Sequence, residues 1–329
     1  MLPSLEIKNF RLFKHLQIEH LAQINLITGK NNVGKTTLLE AINIYGHQGS
    51  PHVIRKVVPT KNEIEFVNHL FYGYCDNLEN IDQIEIQTIP LSGSKQIIIN
   101  KTRTNFPFVD LRIQQFNKNY LEVKKNNFSS DLYRIQVSDQ ISHCYFVPSK
   151  GIDYNNLCKW WDDMELTPLE DEILMGINII ADNILRISLK PLTVNDNERT
   201  FMVRVRNLDT PVSLQSLGGG IDQLFGIILA LVNAKEGMLL IDEVENGLHY
   251  SIQPDMWNLI FTLAQRLNVQ VFATTHSWDC ISAFQKAASE HKVVDSQLIH
   301  LIKRGDEIRA PFMNIDDLAV ATRENIEVR

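Results

Sequence analysis

Two kinds of apolar pattern run along the chain. Leu5-Glu6-Ile7-Lys8-Asn9-Phe10 alternates between apolar and polar positions, the period of a half-buried strand, and Leu16-Gln17-Ile18-Glu19 reads as its partner. Ile24-Asn25-Leu26-Ile27 is a buried strand, and Thr37-Leu38-Leu39-Glu40-Ala41-Ile42 a helix. Between residues 46 and 61 the period fails amid Gly46, Gly49, Pro51 and Pro59, which predicts a loop. Alternating runs at 83–88, 96–100, 109–114, 120–123 and 132–137, separated by turns such as Ser92-Gly93-Ser94 and Asn126-Asn127, predict antiparallel hairpins. His143-Cys144-Tyr145-Phe146-Val147 ends at Pro148 and reads as a core strand. Thr167-Pro168-Leu169-Glu170 is a capping box. Leu169, Ile173, Ile177, Ile180 and Ile184 then predict one long amphipathic helix.

The character changes after Pro211. Residues 221–232 are almost wholly apolar, a buried helix, and Met238-Leu239-Leu240-Ile241 is a buried strand. A helix at 254–267, a strand at 269–273 and a helix at 277–288 follow. Strands at 298–303 and 307–312 and a short helix from about Asn314 complete the pattern. Buried strands alternating with helices at both chain ends predict an α/β sheet assembled from the two termini. The expected division is 1–60 and 211–329 for that unit, with 61–210 as a β-rich and helical insertion. No heptad pattern persists between 45 and 210, so no long coiled coil is expected.

Composition narrows the class. With 329 residues, 44% of them apolar, the chain can bury a sizeable core. A net charge of −7 argues against a surface devoted to nucleic acid. Cys75, Cys144, Cys158 and Cys280 form no C-x-x-C pair and read as reduced core thiols. Together with an N-terminus unlike a signal peptide and no run of 18 apolar residues, they predict a cytoplasmic protein without a membrane span.

The chemistry centres on Gly29-Lys30-Asn31-Asn32-Val33-Gly34-Lys35-Thr36, a complete G-x-x-x-x-G-K-[ST] loop between the strand at 24–27 and the helix that starts with Thr37. Such a loop cradles phosphates with backbone N–H groups. Lys35 is expected to reach the β- and γ-phosphates of ATP, and Thr36 to offer its hydroxyl to Mg²⁺. Met238-Leu239-Leu240-Ile241-Asp242-Glu243 supplies two carboxylates at a strand end: Asp242 for the Mg²⁺ shell and Glu243 as general base. His276, after the next buried strand, is placed to contact the γ-phosphate or the attacking water. Ser216-Leu217-Gly218-Gly219-Gly220 leads into the apolar helix and makes a second anion site, through Ser216, Gly218, Gly219 and Gly220. One phosphate loop already serves one nucleotide, so a second site predicts a nucleotide shared across a dimer.

Phosphate loop, glycine-rich turn, Asp-Glu strand end and switch histidine, in that order, resemble the ATP-binding-cassette ATPases. The early phosphate loop and central insertion resemble their SMC, RecF and OLD branch, not transporters. Leu240-Ile241-Asp242-Glu243-Val244-Glu245-Asn246-Gly247-Leu248-His249 and Ala273-Thr274-Thr275-His276-Ser277 are most similar to stand-alone bacterial AAA-labelled ATPases, AbiEii- or OLD-like, of anti-phage and toxin–antitoxin systems. The resemblance implies a loop at Asn246-Gly247-Leu248 on a dimer interface, slow ATP hydrolysis, a homodimer or higher oligomer, and a separate effector such as a Toprim-like nuclease. Two departures stand out: Leu217 separates Ser216 from the glycines, and Asp222-Gln223 stands where related ATPases carry a basic residue. Gln114, Gln115 and Gln140 are the candidates for the family's lid glutamine. About 30 residues after Leu298 are too few for the Toprim domain of OLD-type nucleases, so no nuclease site is expected in the chain.

The competing reading is a RecF-like repair or recombination ATPase acting directly on DNA, with Lys118, Lys124 and Lys125 as the nearest basic cluster. A GTPase or kinase is disfavoured, since no N-K-x-D motif is present. Trp160-Trp161 is expected to pack a helix.

Overall fold

The computed structural model describes residues 1–57, 68–73, 83–89, 95–103, 109–115, 119–123, 143–179, 181, 183–191, 199–324 and 326–328. The expected strand at 132–137, Lys118, Lys124, Lys125, Cys75 and Gln140 lie outside them. The chain opens with β1 (Leu5–Phe10), β2 (Phe13–Ile18), β3 (Ile24–Gly29), α1 (Lys35–Gly46) and α2 (Pro51–Val57). Strands β4 (Gln83–Gln87), β5 (Gln96–Arg103), β6 (Val109–Gln115), β7 (Asn119–Val123) and β8 (Cys144–Val147) follow. Then come α3 (Tyr154–Met164), α4 (Glu170–Asn178), β9 (Ile184–Pro191), β10 (Arg199–Val205), β11 (Val212–Ser213) and α5 (Gly219–Asn233). The last part holds β12 (Met238–Ile241), α6 (Gln253–Leu267), β13 (Gln270–Thr274), α7 (Trp278–Glu290), β14 (Ser296–Arg304), β15 (Glu307–Arg309), β16 (Phe312–Met313) and α8 (Ile315–Arg323).

The central sheet runs β15-β14-β3-β13-β12-β8, with β16 on β14. Strands β14, β3, β13, β12 and β8 run parallel to one another, β8 forming one edge. Because they are covered on both faces, their side chains divide between two cores. Leu239 and Ile241 of β12 face the core of α5, α6 and α7, while Leu240 joins Phe272, Ile299 and Leu301 on the other side. That second core seats α1 beneath the antiparallel sheet β2-β1-β4-β5-β6-β7. All parallel strands end on one edge, so the loops after β3, β12, β13 and β8 converge there, where open α/β sheets bind ligands.

The structure departs from the pattern in four places. Residues 51–57 are helical, since Pro51 starts α2 and Val53, Ile54 and Val57 pack into the core. The helix after Thr167 stops at Asn178, and Ile184 starts β9 instead. Asn178 is the breaker: its side chain bonds the N–H and carbonyl of Ile184 and turns the chain into a strand. The expected capping box does not form: the helix has Leu169 at its N-cap, Thr167 Oγ1 accepts from Leu169 N–H, and Glu170 reaches the N–H of Leu166. The strand expected at 307–312 is split into β15 and β16. Trp161 is fully buried on α3, and Trp160 packs edge-on against Tyr145 of β8. No helix among the described residues is long and apolar enough to cross a membrane.

Candidate functional site

The loop after β3 cannot carry side chains at its two glycines. A Cβ on Gly29 would lie 2.6 Å from the Leu301 carbonyl oxygen, and Gly29 has φ 141°. Gly34 has φ 107°, and a Cβ there would meet the Phe13 ring at 3.0 Å. The chain therefore closes into a tight loop over the start of α1. That helix begins at Gly34 with no side-chain cap and no acid in its first turn. Its first N–H groups point into the loop unclaimed by any side chain, the condition for holding an anion.

Lys35 lies buried under this loop. Its ammonium donates to the carbonyls of Gly29 and Lys30 and meets His276 Nδ1 at 3.2 Å. Burial pulls its pKa down, against the pull of Asp242, Glu243 and Glu245. Thr36 Oγ1 stands 3.1–3.2 Å from both carboxylate oxygens of Asp242. The structure thus brings the loop after β3, the end of β12 and the end of β13 together at one edge.

Thr274, the last residue of β13, holds this junction. Its hydroxyl donates to Asp242 Oδ1 at 2.7 Å and accepts the N–H of Glu243 at 2.7 Å. Glu243 itself has φ 51°, in the left-handed region. A non-glycine residue there is strained by ~1–3 kcal/mol and is kept so only by its surroundings. Here the Thr274 hydroxyl and a bond from Asn246 N–H to the Glu243 carbonyl do so. The strained backbone turns the Glu243 side chain out to where its Oε1 lies 3.7 Å from His276 Nε2.

The donor set fits Mg²⁺-nucleotide. Mg²⁺ is commonly held by one or two protein oxygens plus substrate phosphates, and Thr36 with Asp242 is such a pair. Among the described residues no three His, Cys, Asp or Glu side chains cluster as a self-sufficient metal nest. Asn31 and Asn32 are exposed on the loop, while Val33 and Thr37 are buried against its base.

The glycine-rich turn stands apart from this group. Ser216 belongs to a short 3-10 turn, and its hydroxyl donates to the Ser213 carbonyl. Gly218 has φ 118° with no neighbour near its Cβ position, and Gly219 opens α5. Gly220 faces Gly247 and Leu248 of the loop after β12. No hydrogen bond among the described residues joins residues 216–220 to residues 29–37. Beside the start of α5 opens a cleft of about 470 Å³ whose lining includes Ser149, Lys150, Tyr154, Asp222, Gln223 and Asn246. Burial pushes the Asp222 carboxyl up.

Two features escape sequence reasoning. Thr274 shows its role only through β-pairing with β12, and nothing in its local sequence marks it. The segment after β8, Pro148-Ser149-Lys150, arrives at the same sheet edge because β8 pairs with β12, and Asn246 Nδ2 bonds the Ser149 carbonyl. Gln114 sits on β6 of the antiparallel sheet instead, and Gln115 ends that strand.

Comparison with known proteins agrees with this geometry. A family described as "AAA domain, putative AbiEii toxin, Type IV TA system" matches residues 24–279. The chain is similar to an ATP/GTP phosphatase of Helicobacter pylori, 24% identical with 94% of this chain and 95% of that protein covered. It is similar to the Septu protein PtuA of Bacillus thuringiensis, 24% identical with 86% and 73% covered. Among solved structures, an SMC head bound to the C-winged helix domain of ScpA superposes with TM-score 0.58 at 12% identity, covering 95% of this chain and 98% of that one. The SMC head domain of Thermotoga maritima gives 0.52 at 13% identity, covering 95% and 98%. The chain belongs to the AbiEii-like AAA-domain family and is an ATPase with the fold of the SMC head domains.

Proposed function

We propose that the chain is an ATP-driven dimerisation switch. Two copies sandwich ATP, each nucleotide lying between the phosphate loop of one copy and residues 216–220 of the other. The observation that carries this reading is the split site. Lys35, Thr36, Asp242, Glu243 and His276 lie together in one chain, whereas among the described residues the open N-terminus of α5 has no hydrogen bond to them. The start of α5 has no side-chain cap, which gives its first N–H groups an anion site's chemistry, and a second copy supplies the anion.

In this reading the phosphate loop and Lys35 hold the β- and γ-phosphates. Thr36 and Asp242 hold Mg²⁺, which offsets phosphate charge when bound. Glu243 takes a proton from the attacking water, and His276, 3.7 Å away, steadies that water or the γ-phosphate. Hydrolysis is slow and times the opening of the dimer. The output passes to a separate effector in a bacterial anti-phage system. Similarity to a Septu protein and to a family described by a toxin–antitoxin system supports that setting. The second reading, a RecF-like ATPase acting on DNA, is supported by similarity to a RecF of Clostridioides difficile, 28% identical over 34% of this chain.

Gly220→Asp tests the split site. A Cβ there meets only ordinary contacts, at 3.6–3.7 Å, and the thermal midpoint of the variant checks that it folds. The added carboxylate repels phosphate at the start of α5. ATP affinity of the single chain is expected to stay within about twofold, while hydrolysis falls roughly 100-fold. Hydrolysis at the wild-type rate would rule out the turn as part of the site.

A further inference from the structure

Two residues beyond Glu243 lies a carboxylate with no assigned part in the reaction. Glu245 Oε1 accepts the N–H of His276 at 2.9 Å and the N–H of Ser277 at 3.2 Å. Ser277 caps α7 with its own hydroxyl, so Glu245 completes the collar around the start of that helix. Its other oxygen, Oε2, is buried and accepts nothing among the described residues. The side chain is therefore spent on the His276 segment.

The backbone of the same residue does something else. The Glu245 carbonyl accepts the N–H of Leu248 at 3.0 Å and closes the turn that presents Asn246 and Gly247. A Cβ on Gly220, at the start of α5, would stand 3.7 Å from the Gly247 carbonyl oxygen and 3.6 Å from the Leu248 side chain, and Asn246 Nδ2 donates to the Ser149 carbonyl after β8. One residue thus grips the histidine segment with its side chain and shapes the outward-facing loop with its backbone. The loop cannot shift without pulling on the amides of His276 and Ser277.

Resting on the dimer-switch reading above, we propose that Glu245 is a positioning residue. It sets the His276 ring against the nucleotide according to the position of the 246–248 loop, and so reports docking of a second copy to the hydrolytic centre. Glu245 acts through His276, whose N–H its side chain holds. What matters is an acceptor oxygen at this reach, not negative charge. The carboxylate also adds to the field on Lys35, so a purely electrostatic role is the alternative that the test must separate.

Glu245→Gln keeps the reach and an acceptor oxygen but loses the charge; Glu245→Asp keeps the charge and loses the reach. Steady-state ATP hydrolysis of both is measured, with thermal midpoints to confirm folding, beside His276→Ala and the double variant Glu245→Asp/His276→Ala. Positioning predicts that Glu245→Gln stays within about fivefold of wild-type kcat. Glu245→Asp loses roughly 30-fold in kcat with KM for ATP within about twofold. The double variant is then no worse than His276→Ala alone by more than about twofold, because residues acting as a unit are non-additive. The proposal is overturned if Glu245→Asp matches wild type while Glu245→Gln is impaired, or if the losses in the double variant multiply. If His276→Ala hydrolyses ATP at the wild-type rate, the role given to His276 fails. An impaired Glu245→Asp in that case would leave the residue acting by another route and would equally overturn the proposal.

Discussion

Thr274 carries no charge, yet its hydroxyl sets both carboxylates at the end of β12. It donates to Asp242 and accepts from the backbone of Glu243, where φ is positive. Replacing it by valine keeps the shape and removes both bonds, leaving a buried carboxylate oxygen and a backbone N–H short of a partner. Loss of a partner that orients a metal ligand costs about 10–100-fold in activity, so Thr274→Val is expected to lower ATP hydrolysis within that range. Titration of Mg²⁺ in the same assay should show a higher requirement; an unchanged rate and Mg²⁺ dependence would remove Thr274 from the account. At this scale the sequence shows the residues whose chemistry is unusual. A G-x-x-x-x-G-K-T run and two acids after four apolar residues stand out locally. A threonine stands out only once β13 lies beside β12 and the hydroxyl reaches across.

The strands and helices around the site were legible where one rule dominated. β3, β12 and β13 are buried on both faces, so their continuous apolar runs were visible. α5 was visible for the same reason. The segment between residues 169 and 213 was not. Leu169, Ile173 and Ile177 kept a helical period, but Ile184 fell on it by coincidence, and the Asn178 side chain diverts the chain into β9. Helix α2 was hidden by a proline that starts it rather than breaks it. The seam between β8 and β12 depends on another contact invisible in sequence. Gly237 lies so close to His143 that a Cβ would stand 1.9 Å from its carbonyl oxygen, and Met238 N–H bonds that same carbonyl at 2.7 Å. Backbone cannot yield as a flexible side chain can. Gly237→Ala is therefore expected to separate β8 from the sheet, lowering stability by about 3 kcal/mol or more, a loss typical of severe core strain. Chemical denaturation compares the two chains, and equal midpoints would show that the seam tolerates the methyl group.

For the whole molecule, the parallel sheet gathers Lys35, Thr36, Asp242, Glu243 and His276 from three separate loops onto one edge. The same edge carries the start of α5 and the 246–248 loop, where Asn246 and Gly247 are exposed. An ATPase that kept its whole site within one chain would give no part to the start of α5, which is proposed above as a second anion site. The order of these segments was legible in sequence because each is short and chemically marked. That residues 29–37, 242–243 and 276 share contacts while residues 216–220 do not was not legible, since it depends on which loop each strand end delivers. The dimer switch is the central claim, and the molar mass of Glu243→Gln tests it most directly. Without the proposed general base the variant should bind ATP and fail to hydrolyse it. With saturating ATP and Mg²⁺, light scattering after gel filtration is expected to give twice the 37.8 kDa chain mass, returning to the single-chain mass without nucleotide. A single-chain mass that persists in saturating ATP and Mg²⁺, with ATP shown to be bound, would contradict the account.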